Sequence, residues 1–97
     1  MPRLNVDDLQ FDEYNEAEMR AHQVAEREVW EVFEEGYELL RNAKRHLASH
    51  LMVGKTLSGR WLTIPIARTP TPGVWRPATA FPAREQDRAK LKGRLAK

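Results

Sequence analysis

Residues 41 to 50 gather three cations, Arg41, Lys44 and Arg45, and two imidazoles, His46 and His50, into ten positions. Histidine exchanges protons near neutral pH, while arginine and lysine hold anions, so the segment carries the groups needed for acid–base work on an anionic substrate. What they can do together depends on the backbone. On a strand, His46 and His50 share a face but stand about 13 Å apart at ~3.3 Å per residue, too far to share a metal or one phosphate. On a helix they fall one turn apart and could ligate together. The plainer uses are a half-exposed strand residue for His50 and a polar turn for His46.

Trp61 beside Arg60 and Trp75 beside Arg76 form the aromatic and basic mixture that holds single-stranded RNA, although packing a small core is the commoner use of an indole. The acids Asp12, Glu13, Glu16, Glu26 and Glu28 read as helix-surface carboxylates, because none has an apolar neighbourhood that would raise its pKa. His22 reads as a capping residue at a turn between helices.

Charge is divided along the chain. Residues 1 to 40 carry three basic and twelve acidic side chains, a balance of −9, and residues 41 to 97 carry thirteen basic side chains against Glu85 and Asp87, a balance of +11. The C-terminal part suits a polyanion and the N-terminal part repels one, unless folding brings the two together and neutralises them.

Ninety-seven residues suffice for one domain with a thin core. The absence of cysteine removes disulfides, thiolate metal sites and a thiol nucleophile. No metal and no cofactor is expected. No apolar run approaches the ~20 residues of a membrane span, and Met1-Pro2-Arg3-Leu4 leads into acids instead of a signal-peptide core. The expected setting is cytoplasmic, without a membrane partner.

The elements that must position these residues follow from periodicity. Residues 4 to 11 alternate loosely as a first strand or extended arm. Asp12 offers an N-cap with Asn15 as its partner, and a helix is expected over residues 13 to 22 with Tyr14, Ala17 and Ala21 on one face. Ala25, Val29, Val32 and Phe33 mark the buried stripe of a second helix, 25 to 35, which Gly36 ends in a left-handed conformation. Ala25 occupies its N-cap and Glu28 the reciprocal third position.

Residues 37 to 52 are ambiguous: Leu39, Leu40, Ala43, Leu47, His50 and Leu51 fit an amphipathic helix, and the rival reading is two strands, 37 to 42 and 47 to 56. As a strand, the second would place Leu47, Leu51 and Val53 on one face and His46, His50 and Met52 on the other. Ser58-Gly59 marks a hairpin turn into residues 60 to 67, where Leu62, Ile64 and Ile66 recur at even positions. A Pro-rich loop, 69 to 73, precedes another extended run, 74 to 81. Pro65 and Pro77 lack backbone donors, so each must face an unpaired side or a bulge. Residues 84 to 97 read as a basic helix or tail.

Two stretches carry a family resemblance. Phe11-Asp12-Glu13-Tyr14-Asn15, Ala21-His22-Gln23-Val24 and Glu28-Val29-Trp30-Glu31-Val32-Phe33 resemble the BrnT-like toxins, in which a strand ending in Asp-Glu is followed by a Lys/Arg-His-Gly-Val step and an E-V-x-E-V-F helix. Leu51-Met52-Val53-Gly54-Lys55-Thr56, the run from Gly59-Arg60-Trp61 to Ile66, and Trp75 to Ala80 are similar to the family's strands, where G-R-T and G-R-x-L-x-V precede R-x-x-S/T-A. The resemblance spans about residues 9 to 82 and selects strands for the ambiguous middle.

It implies a RelE/BrnT-like α+β fold: an N-terminal strand or arm and two helices packed on a small antiparallel sheet, with a short C-terminal helix, in a single domain over 1–97. It also implies a metal-independent endoribonuclease acting on mRNA, of bacterial or phage origin, with a DNA-binding antitoxin as partner. Such a reaction must activate a ribose 2′-hydroxyl, stabilise an anionic phosphorane and protonate the leaving 5′-oxygen. By position, Arg76 matches the arginine opening R-x-x-S/T-A, and Lys55 and Arg60 match basic positions flanking the hairpin. The family's acid–arginine pair is Ala48-Ser49 here, and the arginine closing S-A-R is Phe81. His50, Arg76 and Arg45 are therefore the expected catalytic groups, with Lys44, Lys55, Arg60, Trp61 and Trp75 holding RNA. The alternative is a non-catalytic relative whose sheet binds a protein partner.

Overall fold

In the computed structural model, residues 5–42, 47–85, 87 and 89 are described. Strand β1 (Asp8–Leu9) leads into helices α1 (Glu13–Ala21) and α2 (Glu26–Glu35), followed by strands β2 (Tyr37–Arg41), β3 (His50–Lys55), β4 (Trp61–Arg68), β5 (Val74–Pro77) and β6 (Phe81–Pro82). The middle segment is extended, as the resemblance implies and against its local helix propensity. One sheet runs β1-β5-β4-β3-β2, with β6 also pairing with β4. It is mixed and not purely antiparallel, because β1 lies parallel to β5. The expected first strand contracts to two residues: the chain leaves the ladder at Gln10, whose carbonyl accepts from Asn15 Nδ2 at 3.0 Å.

The helices lie on one face of this sheet. Met19, Val24, Val29 and Val32 pack there with Met52, Leu62, Ile64, Ile66, Trp75 and Leu9, so the even-numbered alternation of β4 is its core face. Full burial of such a side chain is worth roughly 1.5–3 kcal/mol each. On the opposite face Leu40, Leu51 and Val53 form a second cluster with Trp61 and Ala83. There the Asp87 carboxylate, buried, accepts from Thr63 Oγ1 at 3.0 Å and from Arg84 Nε at 3.2 Å. Glu85, Asp87 and Ala89 are helical; the remainder of the expected basic tail lies outside the described residues. No helix among the described residues is long and apolar enough to cross a membrane.

The face shared by Tyr14, Ala17 and Ala21 is exposed, and α1 buries Asn15 and Met19; a polar residue takes the inner position because its amide closes the capping box. One expected face is corrected. Leu47 does not enter β3, which begins at His50, and its side chain is exposed.

Glycine acts at two points. Gly36 ends α2 with positive φ as expected, yet its φ/ψ of 119°/145° lies outside the left-handed helical well, in a region open chiefly to glycine, and leads the chain into β2. Gly54 lies under that junction: a Cβ there would stand 2.8 Å from the Gly36 carbonyl and 2.9 Å from Val32 Cγ1, so only glycine lets α2 come down onto β3. Pro65 meets its constraint where β5 has ended and β6 has not begun; its carbonyl accepts from Ala78 N at 2.8 Å, and its donor-free nitrogen points to the same interrupted side.

Helix α2 is only half capped. Glu28 Oε1 accepts from the Ala25 amide at 3.1 Å, but alanine offers no oxygen in return. Ala25→Ser should supply it and stabilise by about 0.5–1 kcal/mol, read as a raised melting temperature with unchanged circular dichroism; an unchanged or lowered melting point would contradict this cap.

Candidate functional site

The arginine expected at the chemistry is occupied by structure. Arg76 Nε and Nη2 grip the two Asp12 oxygens at 2.9 and 3.1 Å, a bidentate fork. Asp12 is also the N-cap of α1: Oδ1 accepts from Asn15 N at 3.0 Å, and Asn15 Oδ1 accepts from Asp12 N at 2.8 Å. The Arg76 hydrogen bonds, followed by that of the Asn15 amide, hold the Asp12 carboxyl below the usual carboxylate range. The family-matched Arg60 is committed as well. Its Nη1 donates to the Gln23 carbonyl at 2.8 Å and to both Glu28 oxygens at 3.1 and 3.2 Å. That contact ties the hairpin to the α1–α2 turn, where Gln23 has a φ of 61°. His22 is the C-cap of α1, as expected.

Around His50 the picture differs. Strand pairing sets Arg41 directly opposite His50 on β2 and Ile66 opposite on β4, and Arg68 lies two residues beyond Ile66. All four side chains therefore point to the helix-side face, at the end of the sheet away from the β3–β4 hairpin. Trp75 stands under this group: its ring meets His50 edge-on at 5.5 Å, and the Arg68 guanidinium lies 5.3 Å above it. The indole N–H donates to the Asn5 carbonyl at 3.0 Å and the residue is only 4% exposed, so Trp75 is a core floor with little free ring surface for a base. Desolvation first, then the charges of Arg68 and Arg41, lower the His50 pKa below 6.5. His50 Nδ1 lies 2.8 Å from Ser49 Oγ, which orients the ring. Neither Arg41 nor Arg68 forms an ion pair with a described residue.

The remaining candidates lie elsewhere. Lys55 and Trp61 pair across β3 and β4 at the hairpin end, on the opposite face, with Lys55 Nζ 5.7 Å from the indole centroid. They line an open cavity of about 520 Å³ with Glu38, Val53, Thr56 and Leu57. Five residue steps of β3 separate them from His50, roughly 16 Å. Lys44, Arg45 and His46 lie outside the described residues. Among the acids read as surface groups, Glu16 and Glu26 do meet, and the Glu26 carboxyl raises the Glu16 pKa through a shared hydrogen bond.

Arg68 carried no weight in the sequence, yet extending the even-numbered alternation Leu62, Ile64, Ile66 by one step places it on the His50 face. Among the described residues, no three His, Asp or Glu side chains group so as to hold a metal ion. No family model, no curated protein and no solved structure matches the chain. What the geometry defines is an α+β protein with two helices on one face of a mixed six-stranded sheet and a cationic histidine site at one sheet end.

Asp12 has a depressed folded pKa, so its ionic contribution is fully present above its ordinary value of 3.8 and is lost as pH falls through the lower folded value. Asp12→Asn keeps a competent N-cap but removes the charge facing Arg76. Thermal melts from pH 7 downward should show a lower melting point for the variant at neutral pH and a gap that closes in acid. Curves that coincide at every pH would refute a structural role for the pair.

Proposed function

We propose that the chain cleaves single-stranded RNA, as its BrnT-like resemblance implies, at His50, with Arg41 and Arg68 holding the scissile phosphate. The carrying observation is that cluster: an imidazole biased to its neutral form, between two guanidinium groups without carboxylate partners among the described residues. With Nδ1–H donating to Ser49 Oγ, the Nε2 lone pair is left to remove the 2′-hydroxyl proton. The 2′-oxygen then bonds to phosphorus, the phosphorus–5′-oxygen bond breaks, and the departing oxygen takes a proton from the imidazolium, giving a 2′,3′-cyclic phosphate and a 5′-hydroxyl. Arg41 and Arg68 offset the negative charge that builds on the phosphorane. Arg76 acts here as a positioning residue, fixing the start of α1 against β5.

The cavity beside Lys55 and Trp61, with exposed Leu57 on its rim, supports a second reading, a protein-binding module without catalysis. The two readings separate on purified protein and a fluorescent single-stranded RNA with chelator present. Cleavage should be lost by about 10²–10⁴-fold in His50→Ala and by about 10²-fold or more in Arg68→Ala, and Lys55→Ala should cut like wild type. Absence of cleavage by the wild type would favour the binding module; cleavage surviving in His50→Ala would refute the site.

A further inference from the structure

Next to Arg68 the sheet opens into a second cavity of about 310 Å³, lined in part by Asn5, Asp7, Arg68, Thr69, Gly73 and Trp75. Most polar groups around it are already used. Thr69 Oγ1 lies 2.7 Å from the Val74 carbonyl and accepts from Thr71 N at 3.2 Å, and the Trp75 N–H is taken by Asn5. Two groups remain. The Asp7 carboxylate makes no hydrogen bond or ion pair with a described residue, and neither does the Arg68 guanidinium, which lies over the Trp75 ring.

The Asp7 backbone is nevertheless held in place. The amides of Asp7 and Asp8 both donate to the Gly73 carbonyl, at 2.8 and 3.2 Å, and the Asp7 carboxylate fills the space that a side chain at Gly73 would need. A carboxylate with no partner among the described residues accepts best from two adjacent donors. Among the four RNA bases only guanine presents such a pair on its Watson–Crick edge, N1–H beside the N2 amino group. Adenine and cytosine each set one donor beside an acceptor, and uracil has a single N–H between two carbonyls.

We propose that this cavity binds a guanine base of single-stranded RNA, its N1–H and N2 amino group donating to Asp7 while Arg68 holds the neighbouring phosphate. The proposal rests on the RNA-cleavage reading and gives it a preference: the cut falls beside guanosine. Arg68 is the shared element, touching this cavity and the His50 cluster at once.

The test measures binding rather than cleavage, so the two ideas fail separately. The full chain is titrated calorimetrically with the 3′-monophosphates of guanosine, adenosine, cytidine and uridine, and with inorganic phosphate. The guanosine nucleotide should bind about tenfold more tightly than the others, within the discrimination a bidentate base contact gives. Asp7→Asn, nearly isosteric, should bring all four nucleotides within about twofold of each other while leaving phosphate affinity unchanged; Arg68→Ala should weaken all of them alike. A guanosine preference without RNA cleavage would support the pocket while removing the ribonuclease reading. Equal affinities in the wild type, no nucleotide binding, or a preference that persists in Asp7→Asn would overturn the inference.

Discussion

The Asp12 carboxylate joins two parts of the chain that are distant in sequence, the start of α1 and strand β5, and the site depends on that junction. One side chain caps α1, closes a reciprocal box with buried Asn15, and anchors Arg76 of β5. The Asn15 amide reaches back to Gln10 at the exit of β1. The turn from strand to helix, the start of α1 and the position of β5 are thereby fixed together. Trp75 follows from β5, and the His50 and Arg68 side chains rest on Trp75. An exposed ion pair contributes little by itself; here the weight lies in the hydrogen bonds that share its atoms.

Charge pairing also explains why the arginines that stand out in the sequence differ from those left open for a ligand. Glu28 and Asp12, from the acidic half, meet Arg60 and Arg76 from the basic half, so the opposed charges are partly spent on bringing helices and sheet together. Arg41 and Arg68 form no ion pair with a described residue. Their charges, with burial, favour neutral His50, which at neutral pH suits a base better than an acid.

Much of this fold was legible. Asp12 with Asn15, Val29 with Val32, and the alternation of Leu62, Ile64 and Ile66 are local patterns whose period or capping chemistry is decided within a few residues. Residues 37 to 52 were not legible from propensity, because strand formation there depends on pairing with β4 and on burial of Met52 and Val53, which no local window contains. Helical spacing put Tyr14, Ala17 and Ala21 on one face but could not say which face meets the sheet; Asn15 is inside on account of Gln10 and Asp12. The parallel pairing of β1 with β5 joins residues more than sixty positions apart. At the site, His50 was visible by type, while Arg68 required the register of β3 and β4 before it could be set beside the imidazole.

The central claim is that His50 sits in a cationic, partly desolvated corner built to receive an anion. Following its imidazole resonances against pH by NMR tests that claim directly, in the free protein and with inorganic phosphate added. The account predicts a pKa below the ordinary 6.5 that rises when phosphate neutralises the neighbouring guanidinium charges, and that rises likewise in Arg68→Ala without phosphate. A pKa at or above the ordinary histidine value in the free protein, insensitive to phosphate and to Arg68, would contradict it.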